Sequence, residues 1–135
     1  MHTLAEARAI RSSDLPAAVR ALRAEGWRFI TATAVPEPDG WMLLYHFERD
    51  ERLCHLRIRV SRLDRIPAID DAYPAAFLVE NEMNELQGTR VSGMSIDYAG
   101  RLYRDFDRPE GWIHVHGSGM CEAVSSIGRG RASRR

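Results

Sequence analysis

The sequence predicts an α+β protein: a two-layer α/β sandwich with a mixed β-sheet and two main helices, in the order α-β-β-β-α-β. Three observations predict it. Two segments, near residues 15–25 and 72–87, carry apolar residues at helical spacing. Between them, residues 41–48 and 52–60 alternate apolar and polar like the arms of a hairpin. The chain has 135 residues, one domain's worth, and a sheet with one apolar face needs a helical layer to bury it.

The first helix starts at Ser13-Asp14-Leu15-Pro16, a capping side chain followed by proline in the first turn. Leu15, Val19 and Leu22 recur at i, i+4 and i+7, so one face is buried, and Gly26 ends the helix. Residues 27–35 turn β-rich (Phe29, Ile30, Thr31, Thr33), and Pro36-Glu37-Pro38-Asp39-Gly40 reads as a turn. The hairpin follows, with Asp50 and Glu51 as its central turn residues. That turn sets the register: Phe47 faces Cys54, Tyr45 faces Leu56, Leu43 faces Ile58 and Trp41 faces Val60, all on one apolar face. The other face then holds Glu48, Arg57, Arg59 and His46 opposite His55. A slip of one residue would mix the two faces, which fixes the register and makes Cys54 a small core hydrophobe.

Residues 66–71 read as a connector, and Pro74 suits the first turn of the second helix. Ala72, Ala76, Val79, Met83 and Leu86 form its apolar stripe, Gly88 ends it, and Glu80, Glu82 and Glu85 are expected off that stripe. A short strand near residues 90–95, a loop through Asp97, Gly100 and Tyr103, and a last strand at 112–116 complete the order. Residues 1–116 are expected to form one domain and residues 117–135 a flexible tail rich in glycine, serine and arginine.

Composition excludes several classes. No apolar run approaches the ~20 residues that span a bilayer, and residues 1–10 lack the apolar core of a secretory signal. Two cysteines cannot build a disulfide framework. The formal net charge is zero, but four of the 19 arginines fall in the last seven residues. Residues 1–128 therefore carry 15 arginines against 19 acids, a net of −4, which argues against nucleic acid as a partner. No phosphate loop, nucleophile elbow or Cys-x-x-Cys pair is present. His114, His116 and Cys121 offer three metal-ligand side chains but no obvious fourth, and the His46–His55 pair lacks a third.

The acidic helix carries a resemblance. Ile66-Pro67-Ala68-Ile69-Asp70-Asp71-Ala72-Tyr73-Pro74-Ala75-Ala76, leading into Glu80-Asn81-Glu82-Met83-Asn84-Glu85-Leu86-Gln87-Gly88, resembles the 30 kDa subunit family of respiratory complex I. Its signature is Glu-Arg-Glu, two residues, an acid, apolar residues and glycine. Glu80, Glu82, Glu85, Leu86 and Gly88 match it, while Asn81 stands for the arginine and Gln87 for an apolar residue. The family's later Gly-His-Pro falls near Met94 and is missing. Residues 93–103 look more like the shorter relatives in energy-converting, membrane-bound [NiFe] hydrogenases of the Ech and carbon-monoxide-induced types.

The resemblance implies a non-catalytic accessory subunit that holds no cofactor itself, lying at the inner face of the cell membrane through its complex. It would dock through Glu80, Glu82, Glu85 and Gly88 onto a large subunit, beside an iron–sulfur small subunit, the partners carrying the [NiFe] and iron–sulfur centres. Two other classes compete: a free-standing enzyme with Glu80 or Glu85 as base, and a regulatory binding module using the same helix.

Overall fold

The computed structural model describes residues 7–103, together with the backbone of 114–115 and 121–122. A short edge strand, β1 (Arg8–Ala9), precedes a 3-10 turn at Ser12–Asp14 and helix α1 (Leu15–Ala24). Three long strands follow, β2 (Arg28–Glu37), β3 (Gly40–Arg49) and β4 (Arg52–Ser61). Then come β5 (Ile66–Pro67), helix α2 (Ala76–Glu82) continuing into a π-turn at Met83–Gln87, and β6 (Val91–Ser92). Beyond them β7 (His114–Val115) pairs antiparallel with β8 (Cys121–Glu122), the latter within the stretch expected to be a tail.

The main sheet runs β1-β4-β3-β2, antiparallel except for β1, which lies parallel to β4. It is therefore mixed, as expected, and two helices accompany it. The hairpin has the expected register at every position, from Trp41–Val60 through Leu43–Ile58 and Tyr45–Leu56 to Phe47–Cys54. Its turn places both Asp50 (φ 50) and Glu51 (φ 63) in the left-handed region, the conformation of a two-residue hairpin turn. The Glu51 amide donates to the Glu48 carboxylate at 3.0 Å, which holds the turn without glycine.

One face of the sheet is the core. Leu43, Tyr45, Phe47, Leu56 and Ile58 are buried there, closed by Leu15 and Val19 of α1 and Ala76 of α2. The leucine, isoleucine, valine and phenylalanine side chains among them each contribute about 1.5–3 kcal/mol on leaving water. Phe29, Phe47 and Tyr73 form a triad with ring centroids 5.5–5.9 Å apart, and the Tyr73 hydroxyl donates to the Trp27 carbonyl at 2.8 Å. Cys54 packs against this cluster, as its core-facing register requires.

Several local expectations need correction. Asp14 does not cap α1; its carboxylate instead accepts from Arg11 Nε at 3.1 Å. β2 extends to Glu37, so the following turn shrinks to Pro38-Asp39. Ile66–Pro67 is not connector but a strand parallel to β6, which itself covers only Val91–Ser92. Pro74 lies ahead of α2 rather than inside its first turn. On the outer face Leu44, opposite Arg57, is also buried.

Candidate functional site

The acidic helix departs most from expectation. Its charge places Glu80 off the apolar stripe, yet Glu80 has no exposed surface. The spacing explains this. Glu80 follows Ala76 by four residues and precedes Met83 by three, and positions so spaced share one helix face. Glu80 Oε1 accepts from the Ile69 amide at 2.8 Å, tying the segment before α2 to the helix. Its Oε2 and the buried Tyr45 hydroxyl find no hydrogen-bond partner among the described residues. Burial pushes the Glu80 carboxyl up to about 8; the Ile69 amide opposes the shift, while Asp70 and Asp71 add to it. The same burial, with Glu80 beside it, raises the Tyr45 phenol.

The neighbouring face of the helix, at Asn81 and Glu85, is met by residues 93–103, which fold back over it. Asn81 Nδ2 donates to the Phe77 carbonyl (2.7 Å) and the Ile96 carbonyl (2.8 Å), while its Oδ1 accepts from the Tyr98 amide (2.8 Å). Four residues on, Glu85 is buried to 7% exposure and accepts from the amides of Leu102 (2.7 Å) and Tyr103 (3.1 Å). Glu82 is half-buried and accepts from the Tyr103 hydroxyl at 3.0 Å, a bond that raises that phenol. Asp70 takes the amide and hydroxyl of Ser95. Asn84 closes the other end, donating to the Val91 carbonyl and accepting from its amide, each at 2.8 Å. Gly88, at φ 77, terminates the π-turn and its amide donates to the Met83 carbonyl. That left-handed conformation favours glycine.

Glu80, Asn81 and Glu85 thus clamp backbone amides and carbonyls, and Glu82 holds the Tyr103 hydroxyl. What they hold out is apolar: on the clamped loop Ile96 is 48% exposed, Tyr98 40% and Tyr103 54%. Glu80, Glu82, Glu85 and Gly88 follow one another along the helix and its stop, and Glu80 and Glu85 face inward rather than off the apolar stripe. A general base needs access to its substrate, and neither buried carboxylate offers it. Asn81, Asn84, Asp70 and Ser95 complete this network, and sequence reasoning did not place them at the site. The one available signal was the i, i+4 spacing of Asn81 and Glu85, which puts two polar groups side by side on a helix.

The His46–His55 pair is also present, with Nδ1 atoms 2.8 Å apart and half-buried rings. One hydrogen fits between two nitrogens at that distance, so one ring donates and the other accepts. Burial and the charge of His55 lower the His46 imidazole. Of the other candidate cluster, His116 and the side chains of His114 and Cys121 lie outside the described residues. Among the described residues no three His, Cys, Asp or Glu side chains converge on a metal position. Nor does any helix among them have the length and apolarity to cross a membrane.

Comparison with known proteins agrees with this architecture. The family model of the respiratory-chain NADH dehydrogenase 30 kDa subunit matches residues 9–115. Among solved structures, a chain of the membrane-bound sulfane sulfur reductase (MBS), an archaeal respiratory membrane complex, has the same fold. Its TM-score is 0.65 at 20% identity, over 77% of this chain and 68% of that one. No curated protein sequence matches.

Proposed function

The chain belongs to the respiratory-chain NADH dehydrogenase 30 kDa subunit family, and from that premise we propose that it is a non-catalytic accessory subunit of a membrane-bound, complex I-like oxidoreductase of the energy-converting hydrogenase branch. In this reading it docks on the large subunit, beside an iron–sulfur small subunit, and supports electron transfer coupled to ion translocation. It carries no redox group of its own. It sits at the inner face of the membrane through its partners.

The observation that carries the docking step is the clamped loop. Three large apolar side chains, Ile96, Tyr98 and Tyr103, stay exposed on a segment whose backbone is fixed by Asn81 and Glu85, with Glu82 holding the Tyr103 hydroxyl. Fixing a loop before binding lowers the ordering cost of association. Tyrosines with an apolar ring and a polar tip suit an interface core. The signature acids accordingly act in docking from beneath: Glu80 and Glu85 hold the scaffold, Glu82 meets the rim through Tyr103, and Gly88 lets the chain turn back toward β6.

The test is co-purification with an affinity-tagged large subunit from the native cell. Changing Ile96→Asp, Tyr98→Ala and Tyr103→Ala together should leave the chain folded and abolish recovery with the large subunit. Leu63→Ala, at a residue 78% exposed outside this loop, should leave recovery unchanged. Undiminished recovery of the triple variant would remove the loop from the interface.

A further inference from the structure

The outer face of the sheet, opposite the helices, ends at the β1–β4 edge in a cleft of about 370 Å³. Its walls are Ala9, Ile10, Arg11, Ser12, Arg57 and Arg59. Three arginines line it from two separate segments. Arg57 and Arg59 alternate along β4, and Arg11 stands just before α1. This local charge runs against that of residues 1–128, which carry more acids than arginines.

Two of the three arginines have anionic partners. Arg11 meets Asp14 at 3.1 Å and Arg59 meets Glu37 at 3.3 Å. Both arginine side chains are well exposed, 84% and 69%, and pairs of that kind are weak and readily exchanged. Arg57 is half-buried, and among the described residues no carboxylate lies within ion-pair distance of it. Withdrawing a cation part-way from water without a counter-charge is unfavourable, a cost that an external anion would offset.

We propose that this cleft binds the phosphate group of a small organic phosphate. Guanidinium is a planar fork of donors that matches phosphate oxygens two at a time. Arg57 would supply the central fork, with Arg11 and Arg59 turning from their exposed partners to share the charge. The Ser12 hydroxyl adds a neutral donor at the same wall. Ala9 and Ile10 give an apolar side for the carbon portion, and the volume admits a body beyond the phosphate itself. The shared chemistry has two sources, a phosphorylated metabolite in solution or the headgroup of an anionic phospholipid.

The experiment uses the full chain at low ionic strength in two arms. In the first, glycerol 3-phosphate is titrated calorimetrically. In the second, the chain is sedimented with vesicles of phosphatidylglycerol, against vesicles of phosphatidylcholine alone. Saturable binding in either arm, weakened about tenfold or more by Arg57→Gln, supports the site, because such a change removes a charge-assisted bond. Binding of glycerol 3-phosphate identifies the soluble source, and sedimentation with phosphatidylglycerol alone identifies the lipid. Arg52→Gln, on β4 but outside the cleft, should leave binding unchanged. Should Arg57→Gln fail to fold, Arg59→Gln supplies the same comparison. No binding in either arm, binding indifferent to both cleft variants, or an equal loss in Arg52→Gln would overturn the proposal.

Discussion

Replacing Glu80 by glutamine should flatten the pH dependence of the protein's stability. Glu80 has no exposed surface, and among the described residues only one of its two oxygens finds a donor, the Ile69 amide. Its carboxyl rises from 4.5 to about 8 in the folded chain. The folded state therefore holds a proton that the unfolded state releases near 4.5. Stability from this group is fully present below that lower value and is lost as pH rises through about 8. At 1.36 kcal/mol per pH unit, the loss between pH 5 and pH 9 comes to about 4 kcal/mol. Glutamine keeps the carbonyl oxygen that accepts from Ile69 and never ionises, so the variant escapes this loss. The assay is urea unfolding of both proteins across that pH range, read as the difference between their free energies. That difference should be near zero at acid pH, should favour the variant increasingly as pH rises toward about 8, and should level off above it. Parallel curves across the range would show that Glu80 is not held neutral in the folded chain and would refute the reasoning.

Three further outcomes are expected. Glu51→Gly should raise stability by up to about 1 kcal/mol, because residue 51 sits at φ 63 and a side chain disfavours that conformation; a loss of midpoint in chemical denaturation would contradict the turn geometry. Gly40→Ala should prevent stable folding, since a Cβ there would run into the backbone carbonyl of Val60 across the β3–β4 pairing; circular dichroism of the purified variant decides it. Glu85→Ala should cost about 1–3 kcal/mol and speed hydrogen exchange at the Leu102 and Tyr103 amides, which lose their buried acceptor; unchanged exchange at both would show that the loop is held by other contacts.

The hairpin was legible in the sequence down to the pairing of individual residues. Its alternation repeats over two long runs, and only one register keeps Trp41, Leu43, Tyr45 and Phe47 on the face of Leu56, Ile58 and Val60. The first helix was legible for the same reason, as was its stop at Gly26, which lies at φ 84. At Glu80 two signals conflict: its spacing from Ala76 and Met83 points inward, its charge points to solvent, and only packing decides for the spacing. By contrast, β1, β5 and β6 are two residues each, too short to show any period, and only their partners make them strands. The inward turn of Glu85 and Asn81 depends on residues 93–103 folding over the helix, and no local pattern encodes that. The arginine cleft likewise joins Arg11 to Arg57 and Arg59, separated along the chain and brought together by the parallel pairing of β1 with β4. Periodicity fixes which side of an element faces the core, because it acts between neighbours in the chain. What covers the other side is set by contacts between distant residues, and those exist only once the chain has folded.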